Sequence, residues 1–454
     1  MINLSCFKAY DIRGKVPEEL NEQLAYKIGY AFSHIIKPGT VIVGYDVRLE
    51  SPSLTRALIK GLIESGSNVI NIGLCGTEEV YFHTFDNQIK GVGGGIMITA
   101  SHNPKGYNGM KMVGMGAKPI SLCDELQAIH DYLVKTTLYT PSMQPGVETI
   151  RTDKSCYIKH LLQYIDTTKL KPLKIVVNPG NGPAGTVLKL LEQFLPFQFI
   201  YIYDKPDGNF PNGVPNPMII ENRAVTKQAV LEYKADFGVA WDGDFDRCFL
   251  FDHTGNFIES YYIVGLLAES FLKKYPNQKI VHDPRLTWNT VDIVKQAGGT
   301  AIQSKSGHSF IKTAMRLERA IYGGEMSAHH YFKHFAYCDS GMIPWLLIAE
   351  LISLSEENLY EMVQYRINKF PCSGEINYKV TDADKTMQKV KNHFISYNPK
   401  IDYTDGISLE FDNWRLNLRR SNTEPLIRLN IEVKRGVHSI GFYLNEVETI
   451  INGR

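Results

Sequence analysis

Three stretches of the chain run from a short apolar, β-branched segment through a polar turn into apolar residues at helical spacing. They begin at Val41, Lys174 and Lys279 and read VIVGYDVRLESPSLTRALIKGL, KIVVNPGNGPAGTVLKLLEQF and KIVHDPRLTWNTVDIVKQAG. Each pattern predicts a strand followed by a helix, and this alternation favours mostly parallel sheets with helices on both faces. Because the stretches start roughly a hundred or more residues apart, far beyond solenoid periods, they indicate three related α/β domains.

The carboxyl-terminal part of the chain has a different pattern. The segments SGEINYKVTDADKTMQKVKNHF and GISLEFDNWRLNLRRSNTEPLIRLNIEV predict a strand, a helix and then a pair of strands. This order is typical of a smaller α+β domain. A chain of 454 residues is also too long for a single core. We therefore predict four domains, which span residues 1–146, 147–251, 252–369 and 370–454.

Composition and charge restrict the expected partners and location. The net charge is +1, and no block of basic residues is interleaved with aromatics, so neither nucleic acid nor an anionic membrane is an expected partner. Seven cysteines without CxxC spacing indicate reduced thiols. The amino end lacks the apolar core of a signal peptide, and no span reaches membrane length. We therefore expect a cytoplasmic protein.

The segment TASHNP, residues 99–104, places a hydroxyl next to an imidazole. The apolar run before it predicts a short buried strand, so Ser101 and His102 fall on the turn that follows this strand. Pro104 prevents the chain from continuing as regular secondary structure after them. A hydroxyl exposed there suits a nucleophile or a phosphorylated serine. Neighbouring side chains of an extended segment point apart, so we expect no hydrolase dyad, and G-x-S-x-G is absent. A turn serine beside a surface histidine is the alternative.

The segment FGVAWDGDFDRC places Asp242, Asp244 and Asp246 at alternate positions directly after an apolar strand. An extended backbone would put all three carboxylates on one side. Crowded carboxylates resist joint ionisation, and an all-oxygen cluster suits a hard divalent cation, so we predict a Mg²⁺ site. An EF-hand is excluded because Arg247 and His253 stand where its loop needs glycine and glutamate. A solvated acidic turn is the alternative.

Two further segments combine polar groups in a loop. In YGGEMSAHHYF, the carboxylate of Glu325, the hydroxyl of Ser327 and the imidazole of His329 match the hydroxyls of a sugar. Helical spacing would also bring Glu325 and His329 together as a pair. A helix cap with a core histidine is the alternative there. In LRRSNTEPLIR, guanidinium groups, hydroxyls and turn amides would form a phosphate cradle. The alternative for these arginines is a solvated strand edge, which we expect for Arg420.

These four segments, in this order, resemble the α-D-phosphohexomutase superfamily, and within it the bacterial phosphomannomutases. The resemblance covers nearly the whole chain and includes FKAYDIRG at Phe7 to Gly14, NPGNGPAG, HDPRLTW, and GHSFIK at Gly307 to Lys312. It implies an α/β fold of four domains around a central cleft. Three related α/β domains with mixed, mostly parallel sheets would precede the smaller α+β domain.

The resemblance also implies roles for individual residues. Ser101 would be the phosphoserine, and one of its oxygens would join Asp242, Asp244 and Asp246 in holding Mg²⁺. His102 and Lys111 match the neighbours of the phosphoserine, where the general acid and base are sought, and Arg247 would stand beside the metal. Arg13, as a catalytic residue, and Tyr10, as a substrate-binding residue, match the active-site segment of the first domain. The residues that match the substrate-binding loops are Arg285, Gly307, His308, Glu325, Ser327, His329, Arg419, Ser421, Asn422, Thr423 and Arg428.

Two of these matches depart from the pattern of the superfamily. Ala328 stands where many relatives carry glycine, a change that preserves the sugar loop if its φ is negative. Arg285 stands where some relatives carry lysine, so its contact with substrate can be bidentate.

The activity implied by the resemblance is a phosphomannomutase reaction that interconverts mannose 6-phosphate and mannose 1-phosphate and supplies GDP-mannose for polysaccharide synthesis. Ser101 would give its phosphoryl group to the sugar, and the hexose 1,6-bisphosphate would turn over in the cleft before the second transfer. Mg²⁺ and Arg247 would stabilise charge while Lys111 or His102 moves the proton. The expected partners are hexose phosphates only, and the protein would be a monomer or a weak dimer.

Other functions stay open at this point. Mannose and glucose differ only at C2, so a phosphoglucomutase or a bifunctional enzyme is the main alternative. A metal-dependent phosphatase would use Asp242-Gly-Asp244 as a D-x-D motif, but Asp246 is not the residue expected at its fifth place. A non-catalytic sugar-phosphate binding protein would need neither Ser101 nor the aspartates. A glucosamine phosphate is disfavoured as the substrate, because glucosamine-specific members of the superfamily tend to carry S-G-T where this phosphate loop has Ser421-Asn422-Thr423.

Overall fold

The computed structural model describes residues 3–8, 10–120, 125–420, 426–436 and 438–452. Contacts divide the chain into two compact units. The first contains the chain up to Phe257 together with His334–Glu356, and the second contains Ile258–Lys333 together with the chain from Glu357 onward. Each unit is described by itself below.

The first unit begins with a mixed sheet between helices. Its elements are β1 (Ile12–Lys15), α1 (Glu22–Ile36), β2 (Thr40–Tyr45), α2 (Ser51–Glu64), β3 (Asn68–Leu74), α3 (Thr77–Phe85), β4 (Val92–Ile98), β5 (Tyr107–Gly114), α4 (Glu125–Lys135) and β6 (Glu148–Ile150). The strand order is β1-β5-β4-β2-β3-β6. The strands β2, β3, β4 and β6 are parallel, whereas β5 runs antiparallel to both of its neighbours. Apolar side chains of the sheet and of α1 and α2 form one buried core.

A second mixed sheet follows in the same unit. Its elements are α5 (Ser155–Leu162), β7 (Lys174–Asn178), α6 (Ala184–Leu191), β8 (Gln198–Tyr201), α7 (Ala224–Tyr233), β9 (Phe237–Trp241) and β10 (Cys248–Asp252). The order is β10-β9-β7-β8, and only the pair β9 and β10 is antiparallel. Every residue of β9 and β10 is buried, so the turn between them begins from a rigid base.

The second unit begins with a third sheet. Its elements are α8 (Ser260–Lys274), β11 (Lys279–His282), α9 (Trp288–Gln296), β12 (Thr300–Gln303), α10 (His308–Glu318), β13 (Tyr322–Gly324) and β14 (His330–Phe332). The strand β11 is parallel to β12 and β13, and β14 forms an antiparallel hairpin with β13. The chain then returns to the first unit with β15 (Cys338–Asp339) and α11 (Ile343–Leu354). In that unit Trp345 of α11 packs against Phe199 and Trp241.

The last part of the second unit is an antiparallel sheet with helices. Its elements are α12 (Leu359–Lys369), β16 (Ile376–Lys379), α13 (Ala383–Phe394), β17 (Lys400–Asp402), β18 (Ile407–Glu410), β19 (Trp414–Arg420), β20 (Leu426–Val433) and α14 (Ile440–Asn452). The order is β16-β20-β19-β18-β17. Its core is aromatic, and Trp414 stacks on Tyr443 with ring centroids 4.4 Å apart.

The predicted fold class is confirmed. The three strand–turn–helix patterns are β2 with α2, β7 with α6, and β11 with α9, and the carboxyl-terminal segment forms the expected α+β structure. The four domain boundaries themselves stay a prediction. In the described part of the chain, no helix combines the length and the apolar character needed to cross a lipid bilayer.

Candidate active site

Ser101 lies on the turn between β4 and β5 in the first unit, and only 2% of it is exposed. Its backbone has a φ of +49°, in the left-handed region. Such a conformation costs a residue with a Cβ about 1–2 kcal/mol and persists only where the surroundings enforce it. The backbone N–H of Ser101 donates to Thr99 Oγ1 at 2.8 Å, which fixes the turn.

Arg48 holds this turn from the inside, a role that was not predicted from the sequence. Its side chain is 1% exposed, and its guanidinium donates to the carbonyl oxygens of Ser101 at 2.8 Å and Asn103 at 2.6 Å. It also donates to the carbonyls of Pro104 and Tyr107 at 3.0 and 2.9 Å. The only sequence signal for this role is an arginine two residues after an aspartate in the turn that follows β2.

The expectation that Ser101 and His102 point apart is wrong. Their Oγ and Nδ1 atoms lie 3.0 Å from each other, because the left-handed backbone of Ser101 replaces the extended geometry on which the expectation depended. Although 37% of the His102 side chain is exposed, loss of hydration lowers its pKa well below the usual range, and Arg247 and Arg13 add to this. His102 is therefore neutral at physiological pH, and its Nδ1 accepts from Arg247 Nη2 at 2.6 Å.

The three aspartates form a cluster, as predicted. One carboxylate oxygen of each lies within 4.8 Å of the others, and all three residues are at most 2% exposed. The expected extended backbone is wrong, however, because Phe245 has a φ of +43° and its N–H donates to the Asp242 carbonyl at 3.1 Å. A tight turn, rather than strand alternation, brings the carboxylates together.

Ser101 and the basic residues of the first unit surround this cluster. The Ser101 hydroxyl donates to Asp242 Oδ2 at 2.9 Å, and Arg247 Nη2 donates to the same oxygen at 2.7 Å. Lys111 Nζ lies 2.6 Å from Asp244 Oδ2 and also contacts Asp246. Although burial disfavours the ammonium, Asp244 and Asp246 raise the pKa of Lys111 above its usual range, so that Lys111 stays charged.

The donor set of the cluster fits a divalent cation. Burial raises the pKa of Asp242 to about 6. Arg247 opposes this rise only in part, and the negative charges of the other two aspartates add to it. Within the described residues, the buried Oδ1 of Asp244 has no hydrogen-bond partner. Buried carboxylates that are hard to ionise together and have an unused oxygen are the arrangement that a hard cation stabilises.

Close backbone packing joins the turn of Ser101 to the turn of the aspartates. A Cβ on Gly243 would lie 2.3 Å from the Ser101 carbonyl oxygen, so only glycine allows this approach. On the other side, Thr77 at the start of α3 donates its N–H to the Asp244 carbonyl at 3.0 Å and its hydroxyl to the Asp244 carboxylate. The position of the aspartate turn therefore depends on both neighbouring segments.

The remaining residues expected near Ser101 lie on or beside β1. Arg13 donates from Nη1 to Asn103 Oδ1 at 2.6 Å and to the Ala100 carbonyl at 3.3 Å, on either side of the Ser101 turn. Tyr10 precedes β1 and is half-buried. The structure thus places Arg13 in direct contact with the turn.

In the second unit, the predicted sugar-binding residues meet at the hairpin of β13 and β14. Glu325 accepts from the Gly307 N–H at 2.8 Å and from the Tyr331 hydroxyl at 2.6 Å, and His329 Nδ1 lies 3.4 Å from its Oε2. Burial would raise the pKa of Glu325, but its bonds to His329 and Tyr331 and the charge of Arg285 hold it below the usual range. Glu325 is therefore an ionised acceptor that can receive hydroxyl groups.

Arg285 and His308 extend this group. Arg285 donates to Asp283 Oδ2 at 2.6 Å and lies 3.3 Å from Ser327 Oγ. His308 is the first residue of α10, directly after Gly307, whose φ is +118°.

Ala328 does not have the negative φ under which it was expected to preserve the sugar loop. Its φ is +71°, so the alanine occupies a left-handed position that glycine would adopt without strain. The hairpin keeps its form nonetheless, since Glu325 donates its N–H to the His329 carbonyl at 2.9 Å.

The predicted phosphate cradle is described in part. Arg419 on β19 and Arg428 on β20 are directly opposite each other and both contact Glu375, at 2.8 and 2.9 Å. Ser421, Asn422 and Thr423 lie outside the described residues. The Arg420 side chain is 66% exposed, so it is solvated as expected, but the expected edge position is wrong because β19 is the central strand of its sheet.

Comparisons with known proteins show which family the chain resembles along its length. The phosphoglucomutase/phosphomannomutase family models match α/β/α domain I at residues 5–139, domain II at 155–255, domain III at 259–370 and the C-terminal domain at 375–438. The phosphohexose mutases of Xanthomonas campestris pv. campestris are 56% identical over 452 residues, with all of both chains covered. A phosphomannomutase of Salmonella montevideo is 52% identical over 459 residues, again with full coverage. A crystal structure of a phosphoglucomutase/phosphomannomutase family protein from Burkholderia thailandensis has a TM-score of 0.88 at 29% identity, over 100% of this chain and 98% of that chain.

Proposed function

Because this chain belongs to the phosphoglucomutase/phosphomannomutase family, we propose that it is a phosphomannomutase, which interconverts mannose 6-phosphate and mannose 1-phosphate. The observation that carries the proposal is the 2.9 Å contact between the Ser101 hydroxyl and Asp242, inside a carboxylate cluster that suits a cation. Relatives named phosphomannomutase, at 51–54% identity over 95–100% of the chain, support mannose as the substrate. The product would supply GDP-mannose for polysaccharide synthesis.

In the proposed reaction, Ser101 carries the phosphoryl group between two sugar hydroxyls. The P–O bond to Ser101 breaks as a bond to the sugar oxygen forms, the sugar hydroxyl loses its proton, and the Ser101 oxygen gains one. His102, whose Nδ1 lies 3.0 Å from Ser101 Oγ, or Lys111 would pass the proton of the sugar hydroxyl on to the Ser101 oxygen. Lys111 and Arg247 keep their charges beside the transferring group.

The carboxylates of Asp242, Asp244 and Asp246 would hold Mg²⁺, which when bound stabilises negative charge on the phosphoryl oxygens. The hexose 1,6-bisphosphate would be the intermediate and the activator. In the second unit, Glu325, Ser327 and His329 would receive sugar hydroxyls, and Arg419 and Arg428 would bind the phosphate that is not transferred.

We expect Ser101→Ala to lower mutase turnover by a factor on the order of 10⁴ while hexose phosphate still binds, because only the carrier oxygen is lost. The measurement is a coupled assay with mannose 1-phosphate, primed with hexose 1,6-bisphosphate, together with calorimetric binding. Ser53→Ala, on α2 outside the site, is the control and should retain full turnover. Full activity of the Ser101 variant would remove the phosphoserine from the reaction.

We expect chelation of divalent ions to abolish turnover and Mg²⁺ to restore it, since the clustered carboxylates repel one another and the phosphoryl group without a cation. The Mg²⁺ concentration that restores half of the turnover should rise at least about tenfold in Asp244→Asn, because this substitution removes one charged ligand. Turnover that resists chelation in the wild-type protein would contradict a metal-dependent step.

A bifunctional phosphomannomutase/phosphoglucomutase is the second candidate. It is favoured by the relatives named phosphohexose mutases, at 56% identity over the whole chain. The same assay decides between the two candidates, because a mannose enzyme should have a higher kcat/KM for mannose 1-phosphate than for glucose 1-phosphate. Similar values for both sugars would support the bifunctional enzyme.

A further inference from the structure

Glu375 occupies the centre of a group of three arginines in the second unit. It lies between Gly374 and β16, and its side chain is 11% exposed. Its two carboxylate oxygens accept from Arg419 at 2.8 Å and from Arg428 at 2.9 Å. Arg285 Nη1 lies 3.7 Å from the same carboxylate. One carboxylate thus binds the arginines of the expected phosphate cradle and an arginine of the expected sugar site.

The positive and negative charges of this group balance one another. Arg285 also pairs with Asp283 at 2.6 Å and with Glu325 at 3.5 Å. The three guanidinium groups therefore face three carboxylates, those of Asp283, Glu325 and Glu375. Burial would raise the pKa of Glu375, but the three arginines outweigh it and hold the pKa below the usual range. Glu375 is ionised at physiological pH.

The arginines nevertheless have donors to spare. Among the described residues, the buried Nε atoms of Arg285, Arg419 and Arg428 have no hydrogen-bond partner. A single carboxylate cannot satisfy three guanidinium forks, whereas a phosphate offers more acceptor oxygens and a second negative charge. The arrangement is therefore suited to an anion richer in acceptors than Glu375.

We propose that Glu375 is a built-in competitor of the substrate phosphate, which occupies Arg419 and Arg428 whenever the cradle is empty and speeds release of the phosphate. This inference rests on the proposed mutase function and names a regulating residue of the same site. The bisphosphate intermediate has to leave the cradle once in each catalytic cycle in order to present its other end. When the phosphate leaves, Glu375 pairs with Arg419 and Arg428, so that these buried arginines still have an anionic partner. This pairing stabilises the state in which the phosphate has been released.

Glu375→Gln tests the proposal, since glutamine keeps the size and one acceptor but loses the competing charge. We expect it to bind mannose 6-phosphate about tenfold more tightly, within the usual range of coupling between two ligands. Release of labelled hexose 1,6-bisphosphate should slow by a similar factor, and kcat should fall while KM falls with it. Inorganic phosphate should raise the melting temperature of the variant more than that of the wild type, because at the same phosphate concentration tighter binding stabilises the folded state more.

Two further variants make the test decisive. Glu318→Gln removes a carboxylate from an ion pair with Lys279 elsewhere in the unit and should leave binding unchanged. If Glu375→Gln does not fold, Glu375→Asp takes its place, because a shorter carboxylate loosens its hold on the arginines. Unchanged or weaker mannose 6-phosphate binding in the folded Glu375 variant would overturn the proposal and leave Glu375 as a support for the arginines.

Failure of the proposed function would look different. In that case the wild-type protein would lack mutase turnover, or Arg419→Ala would bind mannose 6-phosphate as well as the wild type does. Normal turnover with a cradle that depends on Arg419, combined with no tightening in Glu375→Gln, would reject only the role of Glu375.

Discussion

At the scale of single residues, Ser101 combines a strained backbone with a reactive side chain. Its left-handed φ turns the hydroxyl toward both His102 Nδ1 and Asp242 Oδ2. Arg48 enforces this conformation, since its buried guanidinium donates to the carbonyl oxygens of Ser101 and Asn103. The position of the reactive oxygen therefore depends on a residue that does not contact it.

We expect Arg48→Lys to lower kcat by about 100-fold with little change in KM, because an ammonium cannot bind several carbonyls at once and a displacement of about 1 Å at a reacting atom has this effect. Steady-state kinetics and the amount of phosphoserine per chain measure the result. Arg56→Lys, on the exposed side of α2, is the matched control. A drop in stability without a fall in kcat would show that Arg48 is merely structural.

At the scale of elements, the site of the first unit consists of two turns in contact. The turn after β4 carries Ser101, and the turn between β9 and β10 carries the aspartates. Gly243 permits the contact because its position leaves no room for a side chain next to the Ser101 carbonyl. The distance between the reactive hydroxyl and the carboxylates is thus set by backbone packing between two sheets.

Gly243→Ala is expected to reduce turnover by at least about 100-fold, because the new methyl group would overlap the Ser101 carbonyl oxygen and push the turns apart. Overpacking should also lower the free energy of unfolding by about 1–3 kcal/mol. Kinetics and urea unfolding give both quantities. The control is Gly114→Ala, where a Cβ would meet no atom within 4 Å. Equal behaviour of the two variants would mean that the contact between the turns is unimportant.

At the scale of the whole molecule, the chain leaves the first unit after Phe257 and returns to it for His334–Glu356. The returning segment contains α11, whose Trp345 is fully buried against aromatic rings near β8 and β9. In the same unit, Glu78 of α3 accepts the N–H of Gly341 at 2.6 Å, just before α11. The first unit therefore requires residues from two separate parts of the sequence.

This connection predicts where Trp345→Ala acts. We expect it to lower the stability of the first unit by about 3–5 kcal/mol, the usual effect of deleting a buried tryptophan. Hydrogen exchange should speed up in β7 and β9, and exchange in β20 should stay unchanged. Tyr365→Ala, at a side chain 66% exposed, should change neither. Faster exchange in β11 with unchanged β7 and β9 would instead support the predicted boundaries, which assign residues 252–369 to one domain.

Much of this protein could be predicted from local patterns. The alternation of β-branched strands with helices gave the fold class, and the family resemblance of four ordered segments is confirmed by the domain models. The clustering of Asp242, Asp244 and Asp246 followed from their spacing, although a turn rather than an extended strand produces it. The roles of the predicted site residues and the domain boundaries stay predictions.

The strand and helix patterns and the kinds of chemical groups present follow from the local sequence, because both depend on residues close together in the chain. Which groups meet depends on the packing of segments that are far apart in the chain. Ser101 and Asp242 are 141 positions apart, and Glu375 and Arg428 are 53 apart. Such contacts depend on how sheets and turns pack, and packing is set by the shapes of many side chains together rather than by any local pattern. For the same reason, no motif predicted the contacts of Arg48, Gly243 or Glu375.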